Sequence, residues 1–359
     1  MSAPSPLSNA VTDQVMRSWN RTAAQFTSVG QEVERLFAVG ADLLQHGKRL
    51  RAAFAAAGWL SAGGAELAPT AIRLGAGLEL FQMAALVHDD LMDGSVTRRG
   101  RPAAHRQFES GHSELGLLGR GPEFGEAGAI LLGDLLLVAA GHELEAAIEV
   151  AAPHARNRAR DLVTTMMAEV TVGQYLDIYA QAAPWALDPQ ADLDRAHRVI
   201  RAKSARYSVE HPLTIGATVA GASPSAVEHL AQVGLPLGEA FQLRDDLLGV
   251  FGDPARTGKP AGDDLREGKR TVLVSLAYSQ ANEQERQVLR ADLGRQHLTL
   301  EQIADLRRIL TESGAVAQVE AMIADRYQRS MNALAAARLP HQADATIRAL
   351  ADATISRSA

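Results

Sequence analysis

Three carboxylates close a long apolar segment of the chain. Asp89, Asp90 and Asp93 follow the run FQMAALVH, and two adjacent arginines, Arg98 and Arg99, come shortly after them. On a helix, Asp89 and Asp93 lie one turn apart and face the same way. Their carboxylates repel each other unless a cation lies between them, and Mg²⁺ binds one or two carboxylates together with substrate phosphates. The alternative is a solvated helix end, although acidic groups are disfavoured at a helix C-terminus.

A second acidic pair, Asp245 and Asp246, closes another apolar segment far downstream. The glycine- and proline-containing stretch after this pair carries further charges at Lys259, Asp263, Asp264, Lys269 and Arg270. One acidic cluster is a weak signal, but two clusters that each precede basic residues are a much stronger one. Together they predict a cleft in which metal ions held by carboxylates bind an anionic phosphate.

These motifs resemble those of the trans-isoprenyl diphosphate synthases, the polyprenyl synthetase family, and especially its actinobacterial geranylgeranyl or longer-chain synthases. The matching stretches are GKRLR at 47–51, HDDLMDGSVTRRGRPAAH at 88–105, GDLLL at 133–137, Lys203-Ser204, FQLRDD at 241–246 and GKPAGDDLREGKRT at 258–271. They keep the family's order and approximate spacing over roughly two thirds of the chain.

The resemblance implies a magnesium-dependent prenyltransferase that condenses an allylic diphosphate with isopentenyl diphosphate head to tail. It implies several Mg²⁺ ions on Asp89, Asp93 and Asp245, with Asp246 in support, and a homodimer. The implied catalytic residues are Asp89, Asp90, Asp93, Arg98, Lys203 and Asp245. The implied substrate-binding residues are Lys48, Arg51, Gln82, Arg98, Arg99, Lys203, Ser204, Gln242, Lys259 and Lys269. Among these, Lys48, Arg51, Gln82 and Arg99 would bind isopentenyl diphosphate, and Lys203 would bind the allylic diphosphate.

Several of these residues also have an ordinary structural explanation. Lys48 and Arg51 share a face at a helix start, where two cations oppose the helix dipole, so they indicate either a bound anion or a solvated basic patch. Gln82 lies two turns before Asp89 on the same face and serves either a substrate or the core. Lys203 is either a diphosphate ligand or a surface lysine.

Another polar pair, Gln174 and Asp177, shares a face of a later helix. It belongs either to a ligand site or to the internal hydrogen bonds of the fold.

Three positions differ from the usual family pattern. His46 stands where the family usually has glycine, and Ser204 stands where it often has threonine. Gly249 stands where the second DDxxD motif has its last aspartate. Asp253 lies one turn beyond Gly249 and could replace the missing carboxylate, provided that the helix continues that far.

The segment before Asp89 predicts the product length. A prenyl tail that extends from the metals along this helix passes Ala84 and Ala85, which are small. In the family, a bulky aromatic residue at either place stops the chain early. Phe81 is the first side chain large enough to block the tail, about 12 Å along the axis from Asp89. We therefore expect a twenty-carbon geranylgeranyl product or a slightly longer one, unless another helix forms the floor and the alanines merely allow close packing.

We predict an all-α, single-domain helical bundle around a central cavity, of the isoprenoid synthase type that the resemblance implies, because no repeat and no clear domain linker is visible. Hydrophobic residues make up 47% of the 359 residues and aromatics only 4%, which favours helices over a β-sandwich. We expect residues 1–12 to form a disordered tail, 13–359 to form the domain and 110–128 to form a loop. Helices are expected at 11–29, 31–44, 47–60, 67–93, 129–147, 156–181 and 225–251, with one carrying Lys203 and kinked by Pro212, and three to five more after Thr271.

Charge and sequence features limit the other functional classes. A net charge of -6 does not suggest nucleic-acid binding, and the lack of cysteine excludes disulfides and thiolate metal sites. No run of 18 apolar residues is free of charge, so we predict no membrane span. The N-terminus does not have the pattern of a signal peptide, which makes a cytoplasmic protein the default expectation.

Three other activities remain compatible with parts of this pattern. A class I terpene cyclase would share the fold and the first acidic motif, but it would not need Lys48, Arg51 and Arg99, and no cyclase-type Asn/Ser/Glu triad is found. A non-catalytic subunit of a heteromeric synthase would tend to lose acidic motifs, and only Gly249 favours it. A phosphohydrolase could also use two acidic clusters with magnesium.

Overall fold

Helices account for almost all regular structure in the computed structural model, which describes residues 5–253 and 262–355. The first ten helices are α1 (Pro6–Ala24), α2 (Glu34–Leu44), α3 (Leu50–Ser61), α4 (Pro69–Met92), α5 (Ala104–Glu114), α6 (Gly121–Ile148), α7 (Pro153–Ala182), α8 (Pro189–Val199), α9 (His211–Val219) and α10 (Pro224–Phe251). They are followed by α11 (Asp263–Glu267), α12 (Val272–Gln280), α13 (Glu283–Asp292), α14 (Leu300–Glu312), α15 (Ala315–Ala337) and α16 (His341–Ile355). A 3₁₀ turn (Gln31–Val33) precedes α2, and a π-helix (Ile200–Glu210) joins α8 to α9. The all-α prediction is confirmed.

The strands within the described residues form one short hairpin after α4. β1 (Thr97–Arg98) pairs antiparallel with β2 (Arg101–Pro102), with Arg98 opposite Arg101. This hairpin turns the chain back after the first acidic motif.

The chain divides into two compact units. The first comprises residues 1–163 and 212–227, and the second comprises 164–211 and 228–359. The first acidic motif therefore belongs to the first unit, and the second acidic motif belongs to the second. The predictions of a single domain and of one shared cleft stay predictions.

Helix α4 is the buried centre of the first unit, as the sequence predicts. It is apolar around its whole circumference, which is typical of a helix covered on all sides. Leu74, Leu78 and Leu80 are fully buried, and α1, α3 and α6 pack against it. Gly77 permits close packing, because a Cβ there would be 2.7 Å from Cγ of Leu144 on α6. A rigid central helix of this kind can hold its C-terminal carboxylates in place.

The prediction of a disordered tail over residues 1–12 is wrong from Pro6 onward. The side chain of Ser5 accepts a hydrogen bond from the N–H of Ser8 at 3.2 Å, and Pro6 occupies the first helical position. Serine before proline is a favourable start for a helix. Val11 and Val15 are fully buried, so α1 contributes to the core.

The predicted loop at 110–128 is largely helical. Helix α5 continues to Glu114, and α6 begins at Gly121 with Pro122 in its first turn. Gly125 and Gly128 on α6 allow close packing against α5, since a Cβ at Gly125 would lie 2.4 Å from the backbone oxygen of His105 and one at Gly128 would lie 2.7 Å from Cγ of Phe108. Gly116 and Gly119 lie in the turn between the two helices with positive φ.

The second unit has its own hydrophobic core around α12. Leu273, Val274 and Ala277 are buried in it, and α8, α14 and α15 pack against α12. Five helices follow Thr271, with breaks near residues 294, 314 and 340, as predicted. The first three of these helices have N-cap residues whose side chains accept a backbone hydrogen bond, namely Thr271, Asn282 and Thr299. Polar N-caps of this type stabilise helix starts by about 1 kcal/mol.

Two helices of the described chain, α4 and α6, are long and apolar enough to cross a membrane by length and composition alone. Core helices of soluble proteins pass the same test, and 67% of the α4 window is buried against 39% of the α6 window. The prediction of no membrane span stays a prediction.

Candidate active site

The first acidic motif gives its three carboxylates different surroundings. Asp89 and Asp93 are partly exposed at the end of α4, and the Asp93 N–H donates to the Asp89 carbonyl at 2.8 Å. Asp90 is buried and accepts from Arg98 Nε at 2.9 Å and 3.1 Å through its two oxygens. Arg98 Nη2 also lies 3.6 Å from Asp89 Oδ2. Asp90 thus holds Arg98 beside the motif, while Asp89 and Asp93 are placed at the surface of the unit.

The GKRLR motif forms a tight turn into α3. Arg49 has a φ of 51°, in the left-handed region, and its side chain is buried. Its guanidinium donates to Thr12 Oγ1 at 3.1 Å and lies 3.8 Å from Glu79 Oε2 on α4. Glu79 Oε1 also accepts the Ala52 N–H at 3.2 Å. Because Arg49 faces the core, Lys48 is left exposed on the opposite side of the turn.

Arg99 joins this turn from the hairpin after α4. Its guanidinium donates to the His46 carbonyl, and a Cβ at Gly47 would lie 3.0 Å from Arg99 Nη1. The structure therefore brings Arg99 to the backbone of His46 and Gly47, which directly precede Lys48 in the chain. The isopentenyl diphosphate site stays a prediction. His46 contributes its backbone carbonyl here.

Positive charge accumulates around Arg99. The residue is exposed as a whole, but its guanidinium packs against the turn, and this desolvation lowers the pKa of Arg99. Glu79 opposes the shift, whereas the positive charges of Arg49, Arg98 and Arg51 lower the pKa further. A group of guanidiniums facing one buried carboxylate has a strong affinity for an anion.

The π-helix carries the predicted allylic-diphosphate residues of the second unit. Lys203 Nζ donates to the buried Asp177 at 2.7 Å. Ser204 Oγ donates to Gln242 on α10, and Gln242 Nε2 donates to Asp246 Oδ1 at 2.7 Å. Lys203, Ser204, Gln242 and Asp246 are thus brought together. π-Helical turns occur often at functional sites, because the wide turn redirects side chains.

Asp246 lies in a strongly negative environment. Its burial raises the pKa of Asp246 to about 8, and the Gln242 hydrogen bond opposes this shift. The negative charges of Asp264, Asp245 and Asp177 raise the pKa further, in that order. Converging carboxylates of this kind favour a divalent cation, which relieves their repulsion.

Gly249 stands where the second DDxxD motif has its last aspartate, and the carboxylate of Asp264 lies against it. A Cβ on Gly249 would be 1.8 Å from Oδ2 of Asp264. Lys269 Nζ lies 3.9 Å from Asp264 Oδ1 and 2.6 Å from Glu267 Oε2. Helix α10 ends at Phe251, so the condition under which Asp253 would replace the missing carboxylate is not met.

The predicted metal ligands are of a suitable chemical type within each unit. The carboxylates of Asp89 and Asp93 in the first unit are hard oxygen ligands of the kind that Mg²⁺ prefers, and so is the carboxylate of Asp245 in the second. In the described part of the chain, no group of three or more His, Asp or Glu side chains could hold a metal ion. Magnesium commonly uses one or two carboxylates and completes its shell with water and phosphate oxygens. Lys259, a predicted diphosphate ligand, lies outside the described residues.

Sequence reasoning missed Arg49 and Glu79, which anchor the GKRLR turn. It singled out Asp177 and Asp264 but not their neighbours: Asp177 holds Lys203, and Asp264 lies against Gly249. A glutamate inside an otherwise apolar helix was the available signal for Glu79. Asp264 belongs to the matched GKPAGDDLREGKRT stretch, but its position against α10 required the fold.

Known proteins resemble this chain in sequence and in fold. A family model described as polyprenyl synthetase matches residues 33–310. A geranylfarnesyl diphosphate synthase from Aeropyrum pernix is 34% identical over 240 residues, 67% of this chain and 69% of the relative. A geranylgeranyl diphosphate synthase from Mycobacterium tuberculosis is 33% identical over 238 residues, 66% of this chain and 60% of the relative. The chain thus spans about two thirds of the length of these two relatives.

A solved structure is similar over the whole chain. It is a geranylgeranyl pyrophosphate synthase from Corynebacterium glutamicum, complexed with isoprenyl diphosphate and magnesium. It is 36% identical, superimposes with a TM-score of 0.92, and the match covers 99% of this chain and 100% of that one.

The helical fold and these matches define the class as isoprenoid synthases. This chain belongs to the polyprenyl synthetase family. It is accordingly a trans-prenyltransferase.

Proposed function

We propose that this enzyme elongates an allylic prenyl diphosphate with isopentenyl diphosphate in a magnesium-dependent reaction that ends mainly at geranylgeranyl diphosphate. The observation that carries the proposal is that the guanidinium of Arg99 packs against Gly47 of the GKRLR turn, where the positive charge of Arg51 in the same motif helps to lower the pKa of Arg99. Positive charge at this turn suits a diphosphate that is not held by carboxylate-bound metal. A terpene cyclase or a phosphohydrolase, each with one substrate, has no need for it.

The residues divide the work of the reaction between them. The C–O bond of the allylic diphosphate breaks, a C–C bond forms to isopentenyl diphosphate, and one proton is lost, with the released diphosphate as the base. Magnesium, when bound through Asp89, Asp93 and Asp245, supplies Lewis-acid charge for the leaving diphosphate. Arg98, oriented by Asp90, and Lys203, oriented by Asp177, add fixed positive charge.

Other predicted residues bind and orient the second substrate. Lys48, Arg51, Gln82 and Arg99 would bind isopentenyl diphosphate, and the apolar interior around α4 would exclude water from the allylic cation. We include Ser204, Gln242, Lys259 and Lys269 in the allylic site on the strength of the family resemblance.

The central test is product analysis with both substrates. We expect turnover only when an allylic primer, isopentenyl diphosphate and Mg²⁺ are all present. Product without isopentenyl diphosphate would indicate a cyclase or a hydrolase, and absence of product from any primer would favour a non-catalytic subunit.

Two variants test the assignment of the substrates. Lys48→Ala should mainly raise the KM for isopentenyl diphosphate, whereas Lys203→Ala should mainly raise the KM for the allylic substrate. Swapped effects would show that the two sites are assigned the wrong way round.

We also propose that the enzyme is a homodimer. Phe124, Leu131 and Val138 on α6 repeat every seven residues and lie on one face, with exposed fractions of 42%, 57% and 67%. Such a row of exposed apolar side chains is typical of an interaction surface. A cytoplasmic location stays a prediction.

A further inference from the structure

Two aromatic rings and a guanidinium form a stack in the second unit. Trp185, in the turn between α7 and α8, stacks on Tyr278 of α12 with 3.9 Å between the ring centroids and 15° between the ring planes. The guanidinium carbon of Arg270 lies over the Trp185 ring, 4.2 Å from its centroid. Tryptophan is the best aromatic partner for a cation, so this contact is favourable. We call Trp185, Tyr278 and Arg270 the Trp185 stack.

Both aromatic residues of the stack are anchored by the surrounding structure. Tyr278 is buried, and its hydroxyl accepts a hydrogen bond from Arg290 Nε at 2.8 Å. The residue after the tryptophan, Ala186, donates its N–H to the buried carboxylate of Asp192 at 2.8 Å. The two rings therefore offer a fixed surface to the guanidinium.

The guanidinium of Arg270 is partly desolvated where it lies on this surface. Desolvation lowers the pKa of Arg270, and the negative charge of Asp192 opposes the shift. Among the residues that the structure describes, no hydrogen-bond partner reaches the buried Nη1 of Arg270. The face of the tryptophan ring therefore has a large part in holding this side chain.

Lys269, the neighbour of Arg270 in the chain, faces carboxylates of the same unit. Its Nζ lies 2.6 Å from Glu267 Oε2 and 3.9 Å from Asp264 Oδ1. Asp264 in turn lies against Gly249 of the second acidic motif. The Lys269 ammonium is therefore placed beside that motif.

The chain around Lys269 has room to move if the stack is lost. Its N–H donates to the Asp264 carbonyl at 3.0 Å, but Gly268 before it has a φ of 75° and is conformationally permissive. A cavity of about 380 Å³ adjoins the segment and is lined in part by Trp185, Gly268 and Arg270. We therefore expect the stack to limit the directions in which the Lys269 side chain can point.

We propose that Trp185 is a positioning residue for prenyl transfer: by holding Arg270 on the stack, it directs Lys269 towards the allylic diphosphate. This inference rests on the proposed function, in which Lys269 belongs to the allylic diphosphate site. Trp185 acts through these two residues of the segment that leads into α12, and not by contact with the substrate. Loss of its ring should therefore weaken the binding of one substrate and not of the other.

Steady-state kinetics of ring variants test the proposal in the intact enzyme. Trp185→Leu should raise the KM for the allylic diphosphate by roughly three- to tenfold, because the cation loses its aromatic face. The KM for isopentenyl diphosphate should change by less than about twofold. Trp185→Phe keeps an aromatic face and should restore most of the loss. Calorimetry with an unreactive thio analogue of the allylic diphosphate should give the same ranking of the variants without turnover.

Trp59→Leu is the matched control. Trp59 is a similarly half-buried tryptophan in the first unit, near the end of α3. Its loss should lower thermal stability, as the loss of Trp185 does, and should leave the allylic KM within about twofold of the unmodified value. An equal rise of the allylic KM in Trp59→Leu and Trp185→Leu would show an effect of general stability and would overturn the proposal.

A double-mutant cycle identifies the lysine through which Trp185 acts. In the Lys269→Ala background, Trp185→Leu should raise the allylic KM further by less than about twofold, because the lysine that it positions is absent. In the Lys203→Ala background, Trp185→Leu should keep its full effect. Arg270→Gln should behave like Trp185→Leu in both backgrounds, and it decides the question if Trp185→Leu does not fold.

The cycle also separates this inference from the proposed function. If Lys269→Ala raises the allylic KM but Trp185→Leu does not, or if Trp185→Leu keeps its full effect without Lys269, the positioning role of Trp185 is overturned. If Lys269→Ala itself leaves the allylic KM unchanged, the place of Lys269 in the proposed allylic site fails, and the role of Trp185 fails with it.

Discussion

Neighbouring carboxylates in this protein serve different purposes. Asp90 and Asp177 are buried and each holds a cationic side chain, Arg98 or Lys203, close to a predicted diphosphate site. Asp89 and Asp93 are partly exposed at the end of α4. This DDxxD motif therefore combines two carboxylates that we predict to bind metal with one that orients an arginine.

The difference between Asp89 and Asp90 can be measured. Asp89→Asn and Asp93→Asn should each lower turnover by orders of magnitude with little change in thermal stability, because each removes a carboxylate from magnesium. Asp90→Asn should also destabilise the fold by roughly 1–3 kcal/mol, since Arg98 loses its charged buried partner. Steady-state turnover and thermal unfolding of the three variants would check this. Full activity in Asp89→Asn, or in excess chelator, would contradict the metal mechanism.

Glu210, at the end of the π-helix, makes stability depend on pH. Burial raises the pKa of Glu210 to about 7, the positive charge of Arg206 opposes this, and the carboxylates of Glu169, Glu228 and Glu239 add to it. Below about pH 4.5 both folded and unfolded chains are protonated there. Between about 4.5 and 7 only the unfolded chain releases its proton, so the free energy of unfolding falls as pH rises, by up to roughly 3 kcal/mol.

Glu210→Gln should remove this loss of stability. Denaturant unfolding between pH 5 and 8 would show a flatter profile for Glu210→Gln than for the unmodified protein. Glu301→Gln, at an exposed position on α14, is the control and should keep the slope. Parallel profiles for Glu210→Gln and the unmodified protein would refute the assignment.

Single helices position the binding groups, and α4 does so twice. Its C-terminal end carries the first acidic motif, and one of its middle turns carries Glu79, which pairs with the left-handed Arg49 at the start of α3. The buried centre of the unit therefore supports both the predicted metal ligands and the basic turn.

Glu79→Gln tests this support. Loss of the carboxylate weakens the hold on Arg49, so the GKRLR turn should relax and the KM for isopentenyl diphosphate should rise several-fold. The KM for the allylic substrate should change little, and kcat should change less than the isopentenyl KM. Equal effects on both KM values, or an effect only on thermal stability, would assign Glu79 a purely structural role.

The product length is a second property of α4. Phe81 and Ala84 are buried, whereas Ala85 is only partly so. An aromatic ring at position 85 would fill the predicted tail path, and overpacking there costs roughly 1–3 kcal/mol. Chromatography of the products should show shorter chains from Ala85→Phe and longer ones from Phe81→Ala. Unchanged distributions in both variants would mean that another helix forms the floor, and a fifteen-carbon product from the unmodified enzyme would overturn the prediction.

The whole molecule consists of two compact units. In the first unit, the apolar side chains of Phe124, Leu131 and Val138 form an exposed row along α6.

Leu131→Glu and Val138→Glu should dissociate the proposed homodimer, because a charge in an apolar interface is unfavourable. Light scattering should then report the 38.2 kDa chain instead of twice that mass. Leu300→Glu, at an isolated position with 83% exposure, should leave the dimer intact. A monomeric unmodified protein would refute the proposal.

The sequence by itself determined the features that depend on local patterns. An apolar run without a polar face predicted the buried α4, and proline and glycine marked the breaks between the C-terminal helices. The ordered motifs predicted the family, because their residue types and spacing carry the chemistry. The local pattern wrongly predicted a loop over residues 110–128, where glycines of α6 allow it to pack closely against α5.

Only the tertiary structure decided which distant residues meet. Arg99 reaches the GKRLR turn, Asp177 reaches Lys203, and Asp264 fills the space beside Gly249. Each of these contacts joins segments separated by some fifteen to fifty residues. Their partners are selected by how the helices pack and where each turn redirects the chain, and neither helical periodicity nor composition contains that information.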